Sequence, residues 1–318
     1  AVREDYEALL DAIRIVTGEI RFALGIQLIE GLADPLAIAR ALSRTAEAAL
    51  RLATEATVEE FAAKHGRIPG SELLILGLGR LGGGALTHAS DLDIVYLFTG
   101  DFAAQSDGAR PLGATIYYNR LASRVSAALS VPTAQGALYE VDTRLRPSGA
   151  QGPISVSIDA FERYQRESAW TWEHMALGRA RVLYGSAPAR HQLDGIIHRV
   201  LEQDRDPARL RADVLEMRAT MARHKPARGP LDVKLARGGL VDAEFIVHYL
   251  QLRDHVALEP AIPQALTALV AAGKLDPAVP AAHRVLLRFL IASRLLAPDG
   301  TEPDPGAKAV LASACESG

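Results

Sequence analysis

Apolar residues recur at helical spacing through the first 65 residues of the chain. Two stripes carry the pattern: Leu9, Ile13, Val16, Ile20 and Leu24 in the first, and Ile38, Leu42, Ala46 and Leu50 in the second. Asp34 followed by Pro35 is typical of a helix start, because aspartate caps unpaired amide groups and proline fits the first helical position. The segment is therefore predicted to form two or three packed helices.

Short strands replace this pattern after Gly70. The predicted strands cover residues 73–76, 92–98, 137–145 and 154–158, and a helix is predicted over residues 112–130. The first strand is a continuous apolar run and the last alternates strictly between apolar and polar residues, both of which are strand signals. The middle of the chain therefore predicts a small sheet.

Helical spacing returns from residue 160, with a loop over residues 223–239 and breaks near Pro260, Gly273 and Pro298. A small mixed sheet with helices on both sides in sequence is an α+β fold. We predict three parts: an N-terminal helical segment (residues 1–69), a domain containing the sheet (70–187) and a C-terminal helical domain (188–318).

Composition and charge narrow the class of protein. A net charge of −3 over 318 residues argues against a nucleic-acid partner, although a local basic pocket remains compatible with it. Cys315 is the single cysteine, which excludes a disulfide within the chain and fits a reducing compartment. No stretch is long and apolar enough to span a bilayer and no signal-peptide pattern is present, so we expect a cytoplasmic protein without a membrane partner. The missing initiator Met leads us to expect a piece of a longer protein.

A glycine-rich run follows the first predicted strand. Gly77-Leu78-Gly79-Arg80-Leu81-Gly82 matches the G-x-G-x-x-G fingerprint of dinucleotide-binding folds, and Asp101 stands near the spacing of a ribose-binding acid. A parallel crossover, however, needs about a dozen residues that include a helix. Gly82-Gly83-Gly84 and the polar residues before Asp91 are poor helix formers, so the dinucleotide interpretation is disfavoured.

The same glycines suit a phosphate-binding loop. Gly82 and Gly83 would let backbone amides approach phosphate oxygens, with the Ser90 hydroxyl as a further donor. A tight loop without any ligand is the alternative, which glycine alone does not distinguish.

Carboxylates gather at the start of the second predicted strand. Asp91 and Asp93 are two residues apart, so their side chains point to the same face. Two close carboxylates repel each other unless a cation lies between them, and Mg²⁺ takes one or two protein carboxylates together with phosphate oxygens. We predict a metal site here, with a surface salt-bridge ladder as the alternative.

The third predicted strand carries Asp142, Arg144 and Arg146 on one face. Asp142 would complete a two-metal site or accept a proton from an attacking hydroxyl. Arg144 and Arg146 would bind a triphosphate through bidentate hydrogen bonds.

These motifs, in this order, resemble the polymerase-β-type nucleotidyltransferases, and among them the family of bacterial glutamine synthetase adenylyltransferases. Gly79-Arg80-Leu81-Gly82-Gly83 with Ser90-Asp91-Leu92-Asp93 is similar to the nucleotide loop and metal pair of that family. The strand containing Asp142 is similar to the strand of its third carboxylate. Further similarities are the run Ala169-Trp170-Thr171-Trp172-Glu173-His174, which looks like the AMP-adding C-terminal half, the run Arg179-Ala180-Arg181-Val182, and the run Lys234-Leu235-Ala236-Arg237-Gly238-Gly239-Leu240-Val241-Asp242-Ala243-Glu244-Phe245. We expect Trp170 and Trp172 to belong to the core.

The resemblance implies transfer of AMP from ATP to a tyrosine hydroxyl of glutamine synthetase, with Mg²⁺ as cofactor and control of nitrogen assimilation as its purpose. It also implies regulation by PII signal proteins and glutamine. Two alternatives stay open: phosphorolytic removal of AMP from the same target, and an inactive docking domain. The second arises because Ala85 or its neighbours stand where the family usually carries glutamate.

Overall fold

In the computed structural model, which describes residues 2–229, 231–297 and 302–316, helices surround one small sheet. The helices are α1 Val2–Ile29, α2 Pro35–His65, α3 Gly79–Gly82, α4 Ala114–Ser130, α5 Ile158–Glu167, α6 Thr171–Leu177, α7 Ala187–Leu201, α8 Pro207–His224, α9 Leu240–Asp254, α10 Ile262–Ala271, α11 Ala278–Leu296 and α12 Pro305–Glu316. The strands are β1 Leu73–Gly77, β2 Leu92–Phe98, β3 Val141–Asp142, β4 Ser155–Ser157 and β5 Arg181–Tyr184. The predicted α+β class is confirmed.

The sheet is mixed, with β2 and β1 at its centre. Strand order is β3-β2-β1-β5, and β4 joins the same edge of β2 as β3. β1 is antiparallel to both β2 and β5, whereas β3 and β4 run parallel to β2. The antiparallel β1–β2 pair excludes the parallel crossover of a dinucleotide-binding fold, in agreement with the sequence argument.

Each face of the sheet is covered by helices because β1 and β2 are apolar on both sides. On one face Ile94 and Tyr96 pack with residues of α1, α2, α4 and α11. On the other, Val95 and Leu97 pack with residues of α5 to α9. The face opposite Asp93 lies in the first core, as the alternation predicted. Since Ile38, Leu73 and Leu290 share that core, it crosses the three predicted parts, whose boundaries stay a prediction.

The N-terminal helices confirm one predicted stripe and correct the other. Asp34 accepts hydrogen bonds from the amides of Leu36 and Ala37 at 2.7 and 3.2 Å, and the second stripe is buried. In α1, however, Leu9, Val16 and Ile20 are exposed. The buried face of α1 instead includes Arg14, because its guanidinium donates to the carbonyls of Ala128 and Val131 at the end of α4.

One strand prediction and one helix prediction were wrong in part. The third strand extends only over Val141–Asp142, because tight turns follow it. Strand β5 lies where a helical pattern was expected; its four residues are too few to show a period and pair only with β1. The breaks at Pro260 and Gly273 are confirmed as the junctions around α10, whereas Pro298 lies outside the described residues. Among the residues described, no helix has the length and apolarity needed to cross a membrane.

Candidate functional site

Strand register brings three carboxylates together. β2 and β3 pair in parallel with Asp93 opposite Asp142, so the two side chains leave the same face of the sheet as neighbours. Asp91 precedes β2 by one residue and points the same way. One carboxylate oxygen from each of the three lies within 4.8 Å of the others. The predicted acidic cluster therefore exists, with Asp91 exposed and the other two partly buried.

The surroundings of Asp93 disfavour its charged form. Burial raises its pKa to about 6, and the charges of Asp91 and Asp142 act in the same direction. Arg179 and Lys234 oppose this rise without cancelling it. A carboxylate with this surplus of negative charge favours a bound cation.

Asp142 is paired within its own turn. Arg144 donates to its carboxylate from the backbone amide at 2.8 Å and from the guanidinium, and this hydrogen bonding is the main reason that the pKa of Asp142 is lowered. The Arg144 side chain is 77% exposed, so it can leave the carboxylate for water or a ligand at little cost.

Arg146 has a different surrounding from Arg144. Its guanidinium donates to the carbonyls of Thr143, Ala150 and Gly152 at 2.9, 3.1 and 3.2 Å. The expectation that Asp142, Arg144 and Arg146 share one strand face was wrong, because β3 ends at Asp142. In this structure Arg146 holds a turn, and its role in phosphate binding stays a prediction.

The glycine run forms the single helical turn α3. The amides of Gly82 and Gly83 donate to the carbonyls of Leu78 and Gly79 at 2.8 and 3.1 Å, so neither is directed at a ligand. Contact with phosphate from this run would therefore come from the first amides of the turn, near Gly79 and Arg80. Their assignment to nucleotide binding stays a prediction.

Ser90 closes the loop before the acidic pair. Its hydroxyl oxygen accepts from the amide of Thr87 at 2.9 Å and lies 3.0 Å from the hydroxyl of the same residue. The hydroxyl thereby fixes the approach to Asp91, and its proposed donation to phosphate stays a prediction.

A group of cations lies beside the acidic cluster, and the sequence reasoning missed it as a unit. Arg80, Arg179 and Lys234 surround one carboxylate, Glu244, and the charge of Arg294 acts on Arg80 and Lys234. Burial lowers the pKa of Arg80 to about 10 and lowers that of Lys234, and the neighbouring cations act in the same direction. Four cations against one acid leave a positive surplus that fits a polyphosphate. Arg179, Lys234 and Glu244 belonged to recognisable motifs, but only the fold brings these motifs together.

The expectation that the two tryptophans belong to the core was wrong. Trp170 is 70% exposed and Trp172 is 37% exposed, so neither is a core residue. Glu173 is buried and accepts from the Tyr164 hydroxyl and the Trp170 amide, both at 2.9 Å, which caps α6. Asp242 lies in the first turn of α9 and also accepts from Arg218 at 2.5 Å.

Three carboxylates on a small mixed sheet, beside a glycine turn and a cationic group, define a domain of the polymerase-β-type nucleotidyltransferase class. Residues 1–196 match the family model described as GlnE, glutamate-ammonia ligase adenylyltransferase. The chain belongs to this family.

Individual relatives agree with the family match. A Mesorhizobium japonicum protein named bifunctional glutamine synthetase adenylyltransferase/adenylyl-removing enzyme is 44% identical over 256 residues, which are 80% of this chain and 26% of that protein. A protein of the same name from Agrobacterium fabrum is 46% identical over 248 residues (78% and 25%). Another from Brucella suis is 42% identical over 320 residues (96% and 32%). The chain thus spans only about a quarter to a third of the length of these relatives.

Proposed function

We propose that this chain transfers AMP from ATP to a tyrosine hydroxyl of glutamine synthetase. The observation that carries the proposal is the meeting of Asp91, Asp93 and Asp142 within 4.8 Å, beside the cationic group around Glu244. In the reaction, the phenol oxygen bonds to the α-phosphorus, the bond from that phosphorus to the leaving pyrophosphate breaks, and the proton of the phenol passes to water. The printed names of the relatives support glutamine synthetase as the acceptor.

The acidic cluster fits Mg²⁺. Its donors are all carboxylate oxygens, which this hard cation prefers. The pKa of Asp93 is raised by burial and by the charges of Asp91 and Asp142, and a cation would offset both effects. Asp91, Asp93 and Asp142 would hold the ion. When bound, it would supply neutralisation of the charge on the phosphate oxygens.

The protein's own side chains would bind and orient the nucleotide. Arg80 stays protonated near neutral pH because burial lowers its pKa only to about 10, so it would attract the phosphates, with Lys234 beside it. Arg144 would exchange its contact with Asp142 for a phosphate oxygen. Orientation and charge, rather than covalent participation by the protein, would lower the barrier, as is usual in phosphoryl-type transfer.

Regulation of the reaction by PII signal proteins and glutamine rests on the resemblance alone. The cytoplasm is proposed as the cell compartment because the single cysteine fits reducing surroundings. Removal of AMP by phosphate is a second candidate, because the relatives carry both activities in their printed name.

The direction of the reaction is open to a direct test. The chain is incubated with Mg-ATP and unmodified glutamine synthetase, and separately with phosphate and adenylylated glutamine synthetase, while intact-protein mass is followed. We expect AMP addition in the first mixture and loss of that activity in Asp93→Asn. No addition by the wild-type chain, with release of ADP in the second mixture, would assign the reverse reaction instead.

A further inference from the structure

Helix α9 presents three polar side chains to the turn between α6 and β5. Glu244, His248 and Gln251 are four and three residues apart, which places them on one face of the helix. His248 Nδ1 lies 2.9 Å from Gln251 Oε1. Both atoms close around Gly178: a Cβ there would stand 2.7 Å from the former and 3.0 Å from the latter. The turn at Gly178 is therefore seated directly on α9.

Arg179, the next residue, connects α9 to the glycine turn α3. Its Nη1 pairs with Glu244 Oε1 at 3.0 Å, and the two side chains are 10% and 22% exposed. On its other side the backbone packs on Gly82, where a Cβ would stand 1.9 Å from the Arg179 carbonyl oxygen. The guanidinium packs on Gly83, where a Cβ would stand 2.9 Å from Nη2. These contacts explain why glycine occupies the last position of α3 and the position directly after it.

The guanidinium has donor capacity that the protein leaves unused. Arg179 Nε is buried and lacks a hydrogen-bond partner among the residues that the structure describes. The charge also reaches the acidic cluster, since it counteracts the burial that raises the pKa of Asp93. A cation whose charge reaches Asp93 is suited to attract a bound anion.

Glu244 has the properties of a holder for this guanidinium. Burial opposes its ionisation, but the charges of Arg179 and Arg80 outweigh that effect and lower its pKa, so it is ionised near neutral pH. A buried ion pair is a poor source of net stability, because desolvation of both charges offsets their attraction. The geometry it imposes on Arg179 is the larger consequence.

We propose that Glu244 is a positioning residue that holds the Arg179 guanidinium against Gly83, from where its positive charge attracts the phosphates of the nucleotide. This inference rests on the proposed function, because it takes the phosphates to lie beside Asp93. It gives helix α9 a direct connection to the nucleotide site.

A double-mutant cycle separates positioning from a purely structural role. The variants are Glu244→Gln, Arg179→Gln and the double variant, with kcat and KM for Mg-ATP measured in AMP transfer and Mg-ATP affinity measured by calorimetry. We expect each single change to raise KM by about tenfold to a hundredfold, the value of a charged hydrogen bond. In the Arg179→Gln background, Glu244→Gln should add less than about twofold, since the side chain through which it acts is gone.

Two further variants keep the test informative. Glu162→Gln removes a carboxylate from the ion pair that Glu162 makes with Arg199, also at 3.0 Å but between α5 and α7, and should leave KM unchanged. Glu244→Asp retains the charge and should recover part of the loss; it replaces Glu244→Gln in the cycle if thermal unfolding shows that the latter does not fold.

The outcomes distinguish this inference from the function on which it rests. Wild-type KM in Glu244→Gln, or an equal loss in the presence and absence of Arg179, would overturn the positioning role while AMP transfer stands. A wild-type chain that binds Mg-ATP but does not modify glutamine synthetase would overturn the proposed acceptor, and the calorimetric cycle would still test Glu244.

Discussion

Gly79 leaves the space of its missing side chain to the carboxylate of Asp93. A Cβ on Gly79 would stand 2.2 Å from Asp93 Oδ2, and the residue has a φ of +53°. Both the close approach and the left-handed backbone require glycine. The first glycine of α3 therefore decides where the central carboxylate of the site can lie.

We expect Gly79→Ala to destabilise the protein by about 2 kcal/mol or more and to abolish AMP transfer, because strain is added to a displaced Asp93. Gly84→Ala is the matched control: Gly84 has a φ of +68°, but among described residues no heavy atom lies within 4 Å of its Cβ position. This control should lose about 1 kcal/mol and remain active. Denaturant unfolding and the transfer assay measure both effects; equal losses in the two variants would exclude a specific role for the clash.

Replacement of Asp93 should stabilise the metal-free protein. The folded-state pKa of Asp93 is raised from 3.8 to about 6, so wild-type stability falls as pH rises through that window. Asp93→Asn lacks this penalty and should be more stable by about 1–3 kcal/mol at pH 7–8, with the difference vanishing below about pH 4. Thermal unfolding across pH, with a metal chelator present, measures this difference.

Magnesium should reverse the order of stability. MgCl₂ is expected to raise the unfolding temperature of the wild type but not that of Asp93→Asn, because binding to the folded state alone stabilises it. Glu140→Gln removes an equal charge from an exposed residue next to β3 and should respond as the wild type does. With a chelator in place of MgCl₂, an Asp93→Asn protein less stable than the wild type at pH 8 would show that the chain's own cations already neutralise Asp93.

Substitution of Arg144 and substitution of Arg146 should have different effects, the first on nucleotide binding and the second on stability. Arg146→Ala is expected to cost about 1–2 kcal/mol, because it removes the donor that holds three carbonyls of the turn after β3. Arg144→Ala should leave the unfolding temperature unchanged, since its side chain is largely exposed, but should raise KM for Mg-ATP. A stability loss in Arg144→Ala with unchanged KM would contradict its predicted role at the nucleotide.

Glu173→Gln should affect stability alone. The buried carboxylate accepts from the Tyr164 hydroxyl and the Trp170 amide, so its loss of charge weakens both bonds by about 1–2 kcal/mol in all. We expect a lower unfolding free energy with KM for Mg-ATP and kcat at wild-type values. A selective fall in kcat would instead place Glu173 in the reaction.

Local patterns predicted the features that depend on few neighbours. The Asp34 cap and the apolar stripe of α2 followed from residue types a few positions apart. The same-face arrangement of Asp91 and Asp93 followed from strand alternation. The α1 stripe was misjudged because Arg14 is buried by its contact with α4, more than a hundred residues away.

By itself, the sequence was enough to identify the α+β class, the family, and three aspartates as candidate metal ligands. Motif order and hydrophobic period, on which these predictions depend, are properties of the chain alone. Only the tertiary structure decided that Asp142 pairs with Asp93 across the sheet, that β3 ends at Asp142, and that Arg179 lies between Glu244 and the glycine turn. Those relationships join residues from separate elements, and their positions depend on how the sheet and helices pack rather than on any local pattern.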